Sequence, residues 1–246
     1  MKDIAIFGNH DGSIGQLINM LDDKLKRKLN CIISINKITK VNIAEEHKKR
    51  PNKKIEFILN NKFFGLPVFH KKNFVKTLKE RKIQKVFIFE VSGQQRSNIF
   101  KQLKNEKIEI LSFIHNSVRL MGHNTIGKGV IIFPDCYLGY KSDIGDGVVI
   151  QSGCRIEHHN VIGNFCDLNP NLTTGGFTKI GNYCEVNISV DIINRIRIGN
   201  FSRVGAGSLV LKNIKNKELH YGRPAKFVRK INNFIKLNPT LHISSN

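Results

Sequence analysis

The 246-residue sequence predicts a small parallel α/β domain over residues 1–114, a parallel β-helix over 115–214 and a polar tail over 215–246. Three observations carry this: a six-residue aliphatic period through the second half, its absence from the first half, and the strand–loop–helix succession at the start of the chain.

The period is read by stepping in sixes from Leu120 to Val210. Fifteen of these sixteen positions are aliphatic, and Thr174 is the exception. The following residue is often glycine, as at Gly127, Gly139, Gly145, Gly163, Gly175, Gly181 and Gly199. The residue two before the aliphatic one is mostly small or aliphatic, for example Val130, Cys136, Ser142, Val148 and Cys154. No α-helix or hairpin sheet has this spacing. Each unit reads as a short strand with two inward side chains, then a turn in which glycine or asparagine takes positive φ. Three units make one triangular coil, so like residues stack in columns about 4.8 Å apart. Cys136 and Cys154, and Cys166 and Cys184, fall in such columns and are expected to fill the core.

In the first half, "DIAIFG" reads as a buried strand, "GNHDGSIG" as a loop and "QLINMLDDKLKRKL" as a helix. "NCIISI" and "KVFIFE" read as further buried strands, with a helix in "KKNFVKTLKERK" between them. Such alternation implies a Rossmann-like parallel sheet with its ligand at the carboxyl ends of the strands. The first loop lacks a full G-x-G-x-x-G, so a structural turn and a phosphate cradle remain open for it. The tail, around "GRPAKFVRK", reads as a loop and a short helix.

The five cysteines, an odd number, together with the absence of a signal peptide, point to reduced thiols and a cytoplasmic protein. No stretch of about 18 apolar residues exists for a membrane span. The net charge of +21 is spread over both halves. Its basic runs lack interleaved stacking aromatics, and no nucleic-acid motif is present, so nucleic acid is not an expected partner.

Residues 155–165, "RIEHHNVIGNF", hold the most chemically suggestive stretch. By the six-residue step, Arg155-Ile156 is a strand and Glu157-His158-His159 the corner after it. Both histidines therefore point outward. A zinc site would need three imidazoles converging on one ion; His115, His123, His158 and His159 show no paired H-x4-H spacing, and no metal is expected.

Hexapeptide repeats behind a small α/β domain resemble the left-handed β-helix acyltransferases that modify nucleotide sugars and sialic acids in bacteria. "IFGNHDG", "FGLPVF", "FIHNSV", "IEHHNVIGNF" and "GRPAKFVRK" carry the likeness, which is closest to the sugar N-acetyltransferases of the bacillosamine type and the sialic-acid O-acetyltransferase type. The resemblance implies the left hand of the helix and a homotrimer with acetyl-CoA between neighbouring subunits. It also implies transfer of acetyl to the amino group of a nucleotide-linked deoxy-amino sugar for a surface glycan. O-acetylation of a sialic-acid-like sugar, and a non-catalytic binding or scaffold protein of the same fold, are the alternatives.

The same resemblance assigns His158 as general base. An imidazole titrates near pH 6.5, so its neutral form is available to take a proton at neutral pH. The family's acid after that histidine is here His159, expected to matter less than His158. Asp167, with Glu157 second, is the candidate substitute acid. Acetyl-CoA is expected near Asp167, Gly176, Ile188, Gly205 and Ala206, with Arg223 and Lys226 at its phosphates. The nucleotide is expected at His10-Asp11-Gly12 and at Asn36-Lys37, where the family carries Gly-His and an acidic pair.

Overall fold

A computed structural model describes residues 2–8, 11–34, 61–70, 73–89 and 92–232. It shows the two architectures expected, an α/β domain followed by a β-helix. The first contains β1 (Ile4–Phe7), α1 (Asp11–Met20), α2 (Asp23–Lys28), β2 (Leu29–Ser34), β3 (Lys62–Phe63), β4 (Leu66–His70), α3 (Phe74–Glu80), β5 (Lys85–Ile88), α4 (Gly93–Asn105) and β6 (Glu109–Ile110). The sheet order is β3-β4-β2-β1-β5-β6. All neighbours are parallel except the β3–β4 hairpin.

Strand β1 is buried on both faces. Ile4 and Ile6 enter one core cluster, and Ala5 and Phe7 the other. Such strands read as continuous apolar runs because helices or other layers cover both sides.

Three sequence expectations change here. The helix expected over 16–29 is two helices, because the Asp22 side chain accepts the Leu25 N–H and starts α2 afresh. Asp11 and Gly12, expected in a loop, form the first turn of α1. Helix α4 was not anticipated, although Ser92 and Gln95 form a reciprocal capping box at its start.

The β-helix consists of the two-residue strands β7 (Phe113–Ile114) to β23 (Leu209–Val210) on three faces. Pairing residues lie eighteen apart, as in Val149↔Asp167 and Ile150↔Leu168. From β10 (Ile131–Ile132) onward the second residue of each strand points inward; Ile132, Leu138, Ile150, Ile156 and Leu168 are all buried. Burying each such side chain contributes about 1.5–3 kcal/mol. The cysteine columns lie in this core, and their thiols donate to backbone carbonyls of the next coil, Cys166 to Gly181 and Cys184 to Gly199.

Glycine or asparagine takes positive φ in several corners, as expected, at Gly129, Gly147, Gly153, Gly207 and Asn171, but the glycines directly after the aliphatic residue serve a different purpose. Positive φ falls at the third corner residue, as at His159 (φ 56°) and Phe177 (φ 59°), not at the glycine after the aliphatic residue. That glycine admits the backbone of the next coil: a Cβ on Gly163 would sit 2.7 Å from Asn182 N, and one on Gly175 2.4 Å from Asn194 N. Asparagine then bonds coil to coil. The Oδ1 atoms of Asn164, Asn182 and Asn200 each accept the backbone N–H of the residue eighteen before them.

The α/β domain is seated on one face of the helix. Outward Ile131 and Val149 are buried with Phe133 in the same cluster as Ile4, Ile6 and helix α1. Helix α4 docks through Gly93, where a Cβ would lie 2.0 Å from Phe165 O. Its Arg96, 1% exposed, donates to Gly147 O and Cys166 O and pairs with Asp167 at 2.7 Å.

The described part of the tail, 215–232, differs from the expected loop and short helix, and the rest of it lies outside the described residues. The described part forms two antiparallel strands, β24 (Glu218–Tyr221) and β25 (Lys226–Lys230), and β24 extends the face that carries Arg203. Buried Glu218 ties this end together: it accepts from His220 Nε2 at 2.9 Å, Lys230 Nζ at 2.8 Å and the Lys215 N–H at 3.2 Å. Burial pushes this carboxyl up, but hydrogen bonds from Lys230 and His220 overrule it and hold it at about 2, below its ordinary 4.5.

A folded value below the unfolded one means stability that is fully present above pH 4.5 and is lost as pH falls toward 2. This group should contribute on the order of 3 kcal/mol across that window. Urea unfolding between pH 5 and 2 should therefore show a shallower loss in Glu218→Gln than in the parent. An identical slope in the two proteins would contradict this closure.

Candidate active site

The corner Glu157-His158-His159 is held by its neighbours in the adjoining coils. Thr174, the one polar residue in the aliphatic column, is fully buried. Its Oγ1 accepts the Glu157 N–H and the side-chain amide of buried Asn160. The Oδ1 of Asn160 accepts the Thr178 N–H in turn. The His158 carbonyl accepts from Phe177 N, and His159 N–H donates to Tyr140 O. Thr174 and Asn160 thus brace the turn from inside the core.

His158 is exposed, but its ring is confined. A Cβ on Gly176 would come within 2.6 Å of Nε2 and 2.5 Å of Cε1, so glycine there is what lets the imidazole lie against the helix. Nδ1 of His158 is 3.1 Å from Nδ1 of His159. Among the described residues, Nε2 of His158 has no hydrogen-bond partner. The His159 ring stacks on Phe177, with centroids 4.7 Å apart and planes 15° apart, and meets Tyr140 edge-on. A neutral imidazole on such a corner, with one ring nitrogen not hydrogen-bonded within the chain, can accept a proton from a bound nucleophile.

Other expected site residues lie elsewhere. Asp167 stands on the face against α4, not beside His158. Burial raises its carboxyl above the usual range while Arg96 opposes the rise, and the Gly93 N–H also binds it. A carboxylate committed to a buried arginine is not a free substitute acid for His158. Glu157 is likewise engaged, with its Oε1 3.4 Å from Arg155 Nε.

Gly176 shares the histidine corner, whereas Ile188, Gly205 and Ala206 sit on the corner after the face of Glu185 and Arg203. Within one chain these two groups do not meet. Ile188 is exposed, and Arg223 pairs with Asp191 at 3.0 Å. Lys226 is exposed on β25. Gly12 lies at the start of α1, near the carboxyl end of β1; His10, Asn36 and Lys37 lie outside the described residues. Among the described residues, no group of three or more His, Cys, Asp or Glu side chains could hold a metal ion, and no helix is long and apolar enough to cross a membrane.

Neither family models nor curated protein sequences match the chain. Solved structures do. A Caulobacter crescentus protein, PerB, solved in complex with CoA and GDP-perosamine, superposes with a TM-score of 0.75 at 20% identity, over 92% of this chain and 97% of that one. The acetyltransferase domain of PglB from Neisseria gonorrhoeae, in complex with acetyl coenzyme A, superposes with a TM-score of 0.69 at 15% identity, over 92% and 99% of the two chains. The two-part fold is therefore that of these acetyltransferase structures along almost its whole length.

The bracing of the corner is directly testable. Thr174→Val keeps shape but strands two donors, the Glu157 N–H and the Asn160 amide. Each stranded donor costs about 1–3 kcal/mol, so the denaturation midpoint should fall clearly. A variant as stable as the parent would remove Thr174 from this role.

Proposed function

We propose that the protein transfers an acetyl group from acetyl-CoA to the amino group of a nucleotide-linked deoxy-amino sugar in the cytoplasm, for a surface glycan, with His158 as general base. The observation that carries this reading is the setting of the His158 ring on an exposed corner: Nδ1 lies 3.1 Å from Nδ1 of His159, and Gly176 leaves room for the Nε2 edge to lie against the helix. The neutral amine attacks the thioester carbonyl carbon. As the N–C bond forms, Nε2 takes the proton from nitrogen. The C–S bond then breaks, and the proton passes to the departing thiolate. No protein nucleophile is needed, because the thioester is already activated.

The split of the expected coenzyme residues between two corners supports a homotrimer. One subunit presents His158 and Gly176, and a neighbour presents Ile188, Gly205 and Ala206 along the pantetheine arm. The nucleotide is assigned to the α/β domain beside Asp11 and Gly12, at the carboxyl end of β1, where parallel sheets bind ligands. The fold neighbours solved with CoA or acetyl coenzyme A, and in one case with GDP-perosamine, support a coenzyme A thioester and a nucleotide-linked amino sugar as the two ligands.

Two outcomes test this reading. Loss of general-base assistance costs about 10²–10⁴-fold in rate; His158→Ala should fall in that range with acetyl-CoA binding intact, and an undiminished rate would refute the base. In a thermal-shift series on the full chain, UDP, GDP and dTDP should not act alike. The cognate nucleotide at about 100 times its Kd should add about 2.7 kcal/mol. No shift with any of the three would refute the nucleotide site.

A further inference from the structure

Resting on His158 as the base, we propose that His159 is a positioning residue that sets the tautomer of His158 and shares the charge formed when Nε2 accepts a proton. The two Nδ1 atoms, 3.1 Å apart, have room for one hydrogen between them. With none, two lone pairs face each other; with two, two N–H groups collide. One ring must donate to the other. If His159 donates, neutral His158 carries its hydrogen on Nε2 and cannot act as a base. If His158 donates, its Nε2 holds the lone pair. An amine that presents an N–H to Nε2 selects this second arrangement, with His159 as acceptor.

The hydrogen bond then gains strength during the reaction. Once Nε2 has taken the proton, His158 is an imidazolium that donates from Nδ1 to a neutral acceptor. Charge-assisted bonds are roughly twice as strong as neutral ones. An interaction that tightens as the proton moves lowers the barrier rather than only binding the ground state. His159 so does in neutral form what a carboxylate would do by charge.

The setting of His159 suits it to this task. Its ring is fixed by the stack on Phe177 and the edge of Tyr140, and its backbone N–H by Tyr140 O. The charged groups facing the pair are Lys141 on the Tyr140 ring, Arg195 over Phe177, and the Arg155–Glu157 pair. His123 contacts Tyr140 rather than either ring of the pair.

Two replacements separate this role from a structural one. His159→Phe keeps an aromatic ring in the stack and removes the acceptor. Phenylalanine is accepted at this backbone conformation, since Phe177 holds the same corner position one coil on at φ 59°. His159→Asn offers Oδ1 as an acceptor that does not titrate, and asparagine tolerates positive φ. With melting temperatures unchanged, His159→Phe should lower kcat about 10–100-fold, leave the KM for acetyl-CoA within about twofold, and move the acid limb of the rate profile to lower pH. His159→Asn should recover most of kcat. Both variants matching the parent, both impaired alike, or a loss in His159→Phe with the acid limb in place would each overturn the inference while His158→Ala still defines the base. A fully active His158→Ala would instead remove the base, and the inference with it.

Discussion

Through the body of the β-helix each residue lies against the residues eighteen before and after it, because parallel coils pair in one fixed register; only at the last coil does the step shorten to sixteen, as at Ile198↔Ile214. One residue's environment is therefore written into two others. An aliphatic side chain needs aliphatic neighbours above and below. A coil that passes close to the next needs glycine where a Cβ would strike backbone, as at Gly139, where it would sit 2.5 Å from His158 N. The histidine corner is built by this rule. Gly139 admits the His158 backbone from one side, Gly176 admits its imidazole from the other, and Phe177 supplies the surface on which His159 stacks.

The same register explains how the α/β domain is held. The outward column of one face changes character along its length, from Phe113, Ile131 and Val149 to Asp167, Glu185 and Arg203. Apolar members lie under the domain, and the first charged one meets Arg96. Arg96 is fully buried while Asp167 is partly exposed, so the carboxylate is what compensates a guanidinium that water does not reach. With the guanidinium also bound to two carbonyls, α4 has a specific seat on the helix. The carboxyl ends of the parallel strands are thereby fixed in orientation relative to the β-helix.

Much of this was legible in the sequence. The six-residue step set the coils, the inward columns and the outward direction of His158 and His159. The exception at Thr174 was visible but had no reading, because its meaning lies in hydrogen bonds to Glu157 and Asn160 in the preceding coil. Aliphatic residues at the outward positions 131 and 149 were an unread signal that another layer covers that face. The turn role of glycine holds at Gly129, Gly147, Gly153 and Gly207, whereas the close-approach role of Gly139, Gly163 and Gly175 is hidden because sequence shows the turn and not the coil stacked against it. Asp167 looked like a spare acid because nothing local in the sequence ties it to Arg96, seventy-one residues earlier. Helix α4, with its capping box at Ser92 and Gln95, was the recoverable omission.

The most direct test of the account is a structure of the assembled protein with coenzyme A bound. The thiol end should lie beside Gly176, within direct or one-water hydrogen-bonding reach of His158 Nε2, with the pantetheine arm running along the Ile188–Ala206 corner of a neighbouring copy. Coenzyme bound on another face, with its sulfur remote from His158, would contradict it.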